Sequence, residues 1–257
     1  MDTLLYVDGL TVSFDGFLAL RNLGLIVEPA ERIRLLIGPN GAGKTTFFDV
    51  LSGQVQPVQG RVLFRDRINL LGRTPSAAAR LGVARKFQTP SVFPDHTVME
   101  NMVLAAGGKS LPAALGRAAR HADRGRIAAV LEEVGLGGRA DTPAGALSHG
   151  QQQWLEIAML LVQEPALLLL DEPVAGLSRT EKDHTAALIE RIVARTACAV
   201  LLIEHDMEFV RRIAAGGHRV TVLHEGAVLA EGSLAHVQGD LRVIQAYLGR
   251  GRRGKGR

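Results

Sequence analysis

Gly38, Pro39, Asn40, Gly41, Ala42, Gly43, Lys44, Thr45 and Thr46 follow directly on the run Ile33-Arg34-Leu35-Leu36-Ile37. A strand feeding a glycine-rich turn that opens a helix at a lysine is the phosphate-binding loop pattern. Glycines at 38, 41 and 43 let the backbone bring its N–H groups close to phosphate oxygens. The following helix start adds a partial positive charge aimed at the same place. In this pattern Lys44 reaches the β- and γ-phosphates and the Thr45 hydroxyl binds Mg²⁺. The loop implies a nucleoside triphosphate ligand.

A second group of residues supplies carboxylates. The apolar run Leu167-Leu-Leu-Leu170 ends in Asp171 and Glu172. A buried strand ending this way sets acids at a sheet edge, where Asp171 is expected to hold Mg²⁺ through water. Glu172 is placed to polarise an attacking water. A third group is Leu147-Ser148-His149-Gly150-Gln151, followed by a helical run to Gln163. Ser148 suits an N-cap, which directs another helix start at an anion.

The elements that must position these groups follow from periodicity. Residues 4–7 and 10–14 read as short strands, with Asp8-Gly9 and Asp15-Gly16 as turns, and a third strand spans about 23–27. This opening predicts an antiparallel β-subdomain. Residues 61–64 read as another strand. Residues 97–163 change character, within a lobe read over about 90–163: Val98, Met102 and Val103, then Ile127, Val130, Leu131 and Val134, recur at helical spacing. They predict an inserted helical lobe, with Gly107–Gly125 a weakly ordered helix-loop region. Strand 166–170, helix 179–195, strand 198–203, helix 206–214, strands 219–223 and 227–230 and helix 240–248 complete the chain. Such alternation predicts an α/β fold with a mainly parallel sheet. The domain expectation is one unit over 1–249 and a basic, disordered tail over 250–257.

Composition narrows the function. The single cysteine, Cys198, excludes a disulfide framework and lies in an apolar run that predicts burial. No signal peptide pattern opens the chain, and no apolar run is long enough to cross a bilayer, so a cytoplasmic protein is expected. The last eight residues hold five cations; without them the formal charge of +4 becomes −1. The basic character therefore belongs to the tail and does not predict a nucleic-acid partner.

Leu147-Ser-His-Gly-Gln151 upstream of Asp171-Glu-Pro173 resembles the signature of ABC ATPases. The resemblance covers about residues 4–249. It implies that the signature contacts the γ-phosphate bound to a second ATP-binding subunit. It also implies that Gln88 senses the metal and touches a membrane permease, that His205 contacts the γ-phosphate, and that Phe14 stacks on adenine, with Phe17 as the fallback. Core packing remains a rival role for both phenylalanines. Ser178 stands where many relatives have an aspartate, which weakens transfer of that residue's role.

Arg85-Lys-Phe-Gln88, Thr97-Val-Met-Glu-Asn101, Glu204-His-Asp-Met207 and Ala246-Tyr-Leu-Gly249 resemble ATPases of branched-chain amino acid and urea importers. Gly9–Phe17, Ala146–Gln151 with Trp154–Ile157, and Val220–Gly226 are similar to the D-type ATPase of urea importers. The resemblance implies an importer ATPase on the inner face of the plasma membrane, with permease subunits, a second related ATPase and, indirectly, an external solute-binding protein. Urea is the expected solute, and a branched-chain amino acid the close rival. A soluble, non-transport ABC ATPase is the rival of another class; the tandem core or long coiled-coil insertion it calls for is absent from the sequence.

Overall fold

Asp15 and Gly16 both have positive φ, 47° and 85°, and fold β1 (Leu5–Phe14) back on β2 (Phe17–Val27). Two successive positive φ angles suit the twist of a two-residue hairpin, and Asp-Gly supplies them at low cost. The computed structural model describes residues 3–86, 91–107 and 116–248. The Asp8-Gly9 turn expected from the sequence is instead an irregularity inside β1, with the ladder shifting between Val7 and Leu10 and Gly9 at φ 61°. A single positive-φ glycine bulges a strand without ending it. β2 likewise begins at Phe17 rather than near Leu23. Exposed Arg21 and Asn22 interrupt its apolar alternation without breaking the pairing with β1.

The chain divides into two units, Met1–Leu81 with Ala199–Arg257, and Gly82–Cys198. In the first, an antiparallel sheet runs in the order β2-β1-β4-β5, where β4 is Gln59–Phe64 and β5 is Ile68–Asn69. The same unit holds β3 (Ile33–Ile37), β8 (Ala199–Ile203), β9 (Arg219–His224) and β10 (Ala227–Gly232). β3 pairs in parallel with both β8 and β9, and β10 closes antiparallel on β9. Every residue of β3 and β8 is buried, as expected of strands covered on both faces. Arg34 is buried within β3, where its guanidinium binds Glu31, Glu231, Thr221 and the Ile26 carbonyl. A buried cation persists only when paired and hydrogen-bonded in this way. Helices α1 (Lys44–Leu51), α2 (Pro75–Arg80), α7 (Met207–Ala214), α8 (Leu234–Gly239) and α9 (Leu241–Leu248) belong here.

The second unit pairs β6 (Val83–Lys86) in parallel with β7 (Leu167–Asp171). Its helices are α3 (Val98–Ala106), α4 (Gly116–Glu133), α5 (His149–Leu161) and α6 (Arg179–Arg195). Three of them fall within the range expected to be helical. Within the helix-loop region expected over 107–125, the described backbone is helical from Gly116. Among the described residues no helix is long and apolar enough to cross a membrane. Cys198 is buried, as its apolar run predicts.

Candidate nucleotide site

The loop from Gly38 to Thr46 leaves β3 and turns into α1 through three positive-φ glycines, at 149°, 76° and 96° for Gly38, Gly41 and Gly43. At Gly43, the residue preceding α1, a Cβ would lie 2.6 Å from the Ala19 carbonyl oxygen and 2.7 Å from Leu20 Cδ2. At Gly38 it would overlap the Leu223 carbonyl. Neighbouring strands thus press against the loop from outside, and only glycine fits. Pro39 accepts the Ala42 N–H at 3.1 Å, which tightens the turn. Lys44 donates from Nζ to the Gly38 and Pro39 carbonyls at 2.7 and 3.1 Å, so its ammonium lies over the loop. Asn40 and Thr45 are exposed, Thr46 is half-buried and Ala42 is buried.

Parallel pairing of Leu36 with Ile203 brings the end of β8 alongside the start of this loop. Glu204 is buried there, and its Oε2 accepts the N–H groups of His205 at 3.1 Å and Asp206 at 3.4 Å. Asp206 in turn caps α7 through the Glu208 and Phe209 amides. The exposed His205 therefore rides on a turn braced by a buried carboxylate, a role for Glu204 that the strand pattern did not reveal. Tyr247 was also missed. Its hydroxyl is reached by the Gly38 backbone, and burial pushes its pKa up. Only the tertiary approach of α9 to the loop shows this. Phe14 and Phe17 face each other across the hairpin end and are 46% and 64% exposed, so core packing is not their role.

In the second unit Asp171 is the last residue of β7, almost fully buried, with Arg85 3.3 Å from its Oδ2. Glu172 follows at φ 48°, an uncommon conformation for a side chain of its size, and is half-buried. Ser148 caps α5 as expected: its Oγ accepts the Gln151 N–H at 3.2 Å while Gln151 Oε1 accepts the Ser148 N–H at 3.1 Å. His149 Nε2 lies 3.0 Å from Gln153 Nε2, folded along its own helix. Gly150 is buried, and a Cβ there would meet Glu181 Oε1 at 2.5 Å. Ser178 caps α6 in a box with Glu181, and hydrogen bonds from the Ser178 backbone and hydroxyl hold the Glu181 carboxyl below its ordinary range. Gln88 lies outside the described residues, as does the 250–257 tail.

Residues 20–175 match the family model described as ABC transporter. The chain belongs to the ABC transporter family. This ABC subunit is the ATP-binding partner of an importer, an ATP hydrolase coupled to transport. It is 39% identical to the high-affinity branched-chain amino acid transport ATP-binding protein LivG of Escherichia coli (strain K12), over 96% of this chain and 98% of that protein. It is 40% identical, with the same coverage, to BraF of Pseudomonas aeruginosa, which carries the same description. The thiamine import ATP-binding protein ThiQ of Cereibacter sphaeroides is 38% identical over 85% of this chain and 89% of its own length. A crystal structure of an ABC transporter's ATP-binding cassette in its ADP conformation superposes with a TM-score of 0.81 at 27% identity, covering 97% of this chain and 99% of that one. The similarity to urea importers rests on the motif residues alone.

Each unit carries a hard oxygen donor of the kind Mg²⁺ takes. Thr45 offers a hydroxyl and Asp171 a carboxylate, both hard oxygen ligands. Among the described residues no cluster of three His, Cys, Asp or Glu side chains forms a closed metal cage.

Proposed function

We propose that this subunit drives uptake of a branched-chain amino acid. The observation that carries the reading is the 39–40% identity, across nearly the whole chain, to two proteins described as branched-chain amino acid transport ATP-binding proteins. In this reading the amides of residues 38–46 and the Lys44 ammonium bind the triphosphate, and Phe14 stacks on adenine. Thr45, Asp171 and Gln88 hold Mg²⁺, which when bound neutralises charge on the phosphate oxygens. Glu172 polarises the attacking water, and His205 donates to the γ-phosphate. Ser148, His149, Gly150 and Gln151 face ATP held by a second, related subunit, so the working form in the cell is a heterodimer. Isolated chains form ATP-dependent homodimers. The Gln88 segment passes the motion to permease subunits in the plasma membrane, the ATPase lies at its cytoplasmic face, and an external solute-binding protein delivers the solute. Nucleic acid has no part.

A second reading, urea or a related small amide, is favoured by the histidine in the Ala146–Gln151 signature and by the Gly9–Phe17 opening. Labelled uptake separates the two. Disrupting the gene abolishes high-affinity leucine uptake and spares urea uptake under the first reading, and does the reverse under the second. Loss of neither refutes both.

A further inference from the structure

Glu172 stands at the head of a tight turn, and the far side of that turn is held by a buried amide. Ala175 closes the turn by donating its N–H to the Glu172 carbonyl at 3.2 Å. The Ala175 carbonyl in turn accepts from Gln153 Nε2, on α5, also at 3.2 Å. Gln153 is almost fully buried, whereas Ala175 and Gly176 are exposed. The same amide nitrogen lies 3.0 Å from His149 Nε2, one helical turn earlier on the same face of α5. The His149 ring also lies along the turn, with Nε2 3.5 Å from where a Cβ on Gly176 would stand.

A carboxamide nitrogen carries two hydrogens and accepts none. It serves the Ala175 carbonyl and His149 Nε2 together only while that ring nitrogen is unprotonated. The opposite amide orientation would set oxygen against oxygen at Ala175. Gln153 Oε1 is buried, and no described group hydrogen-bonds it. A buried acceptor without a partner costs stability, so an apolar side chain of the same volume would serve the fold better. What the amide nitrogen holds is the better account of Gln153. We propose that Gln153 is a positioning residue for Glu172, fixing the 172–175 turn, and that it does so only while His149 is neutral. A protonated His149 sets N–H against N–H; the amide then turns its unpartnered oxygen to the ring and releases Ala175. The charge facing this ring from α6 is the Glu181 carboxylate, while Gln153 and the Ala175–Gly176 turn carry none. Hydrogen bonds from Ser178 hold the Glu181 carboxyl below its ordinary range, so its charge is constant where histidine titrates. The inference rests on the role given to Glu172 above.

The test measures ATP hydrolysis and hydrogen exchange on the full chain at about pH 8 and pH 6, across the range where histidine changes charge. Exchange is corrected for its intrinsic dependence on pH. Gln153→Met keeps the length of the side chain and removes the donor. We expect its kcat at the higher pH to fall about tenfold with KM for ATP within about twofold, because the phosphate loop is untouched. Exchange in the peptide covering residues 172–178 should rise in the same variant. In the wild type that exchange should rise on acidification. The rise should be absent from Gln153→Met, which is already released, and from His149→Gly, which has no ring to protonate. The chain has eight histidines, and the His149 variant identifies the one that acts. Wild-type kcat and exchange in Gln153→Met overturn the positioning role. A wild type whose exchange does not rise on acidification, or a rise that persists in His149→Gly, overturns the dependence on His149. If Gln153→Met does not fold, the His149→Gly comparison still decides: a persisting rise overturns the inference and an absent one supports it. Glu172→Gln, measured alongside, tests the underlying reading. Near wild-type turnover there refutes the role of Glu172, whereas lost turnover there with wild-type turnover in Gln153→Met refutes the role of Gln153.

Discussion

Gly43→Ala should damage both the fold and the nucleotide site, and the structure sets the size of the effect. The added methyl would stand 2.6 Å from the Ala19 carbonyl oxygen and 2.7 Å from Leu20 Cδ2. Non-bonded carbon contacts settle near ~3.5 Å, so about 0.9 Å of movement is needed. Ala19 and Leu20 belong to β2, and Leu20 is fully buried, so neither is a flexible surface group. Overpacking of this kind costs roughly 1–3 kcal/mol. The φ of 96° adds backbone strain for alanine, about 1–3 kcal/mol. Together they amount to roughly 2–6 kcal/mol, or a melting temperature lower by about 5–20 °C. Because Gly43 immediately precedes the helix that carries Lys44 and Thr45, relief of the clash also displaces the two side chains proposed to bind phosphate and metal. Gly239→Ala is the internal control: nothing lies within 4 Å of its Cβ position and its φ is not positive. It should be neutral or stabilising by up to ~1 kcal/mol. Thermal unfolding by circular dichroism and ATP binding by equilibrium dialysis read both variants. A Gly43→Ala protein that melts within about 2 °C of wild type and binds ATP normally would refute the steric argument.

Lys44→Met removes charge-assisted hydrogen bonds worth about 1.5–3 kcal/mol and should weaken ATP binding by roughly 10- to 150-fold in a dialysis titration. His149→Gly should leave kcat within a few-fold, because His149 is folded towards Gln153, and should lower unfolding free energy by about 1 kcal/mol in a urea titration. The Glu181 carboxyl is held below its ordinary 4.5 by Ser178. Its contribution to stability is therefore full above about pH 4.5 and is lost as pH falls through the lowered value. Glu181→Gln should remove that part of the acid dependence, read as melting temperature against pH.

The phosphate loop was legible because it depends on local spacing: glycines, a lysine and a preceding apolar strand are all within fourteen residues of one another. The cap at Ser148 and the strand ending in Asp171 are similarly local. The bulge at Gly9 is not distinguishable from a turn in the sequence, because a positive-φ glycine looks the same whether pairing stops or continues. The roles of Glu204, Tyr247 and Gln153 were not legible. Each depends on contacts with chain that periodicity cannot place beside it, such as Gly38 for Tyr247 and Ala175 for Gln153. The buried Arg34 was hidden in an apolar strand for the same reason, since Glu231 lies 197 residues away. Solute choice is less legible still.

The account turns on Glu172 as the group that activates water. Glu172→Gln keeps the shape of the side chain and removes its basicity. Single-turnover ATP hydrolysis by the purified chain, with ATP binding measured on the same sample, tests this most directly. The account predicts an ATP dissociation constant within a few-fold of wild type and hydrolysis slower by at least a hundredfold, about 2.7 kcal/mol of lost transition-state stabilisation. Hydrolysis at a near wild-type rate by the variant would contradict it.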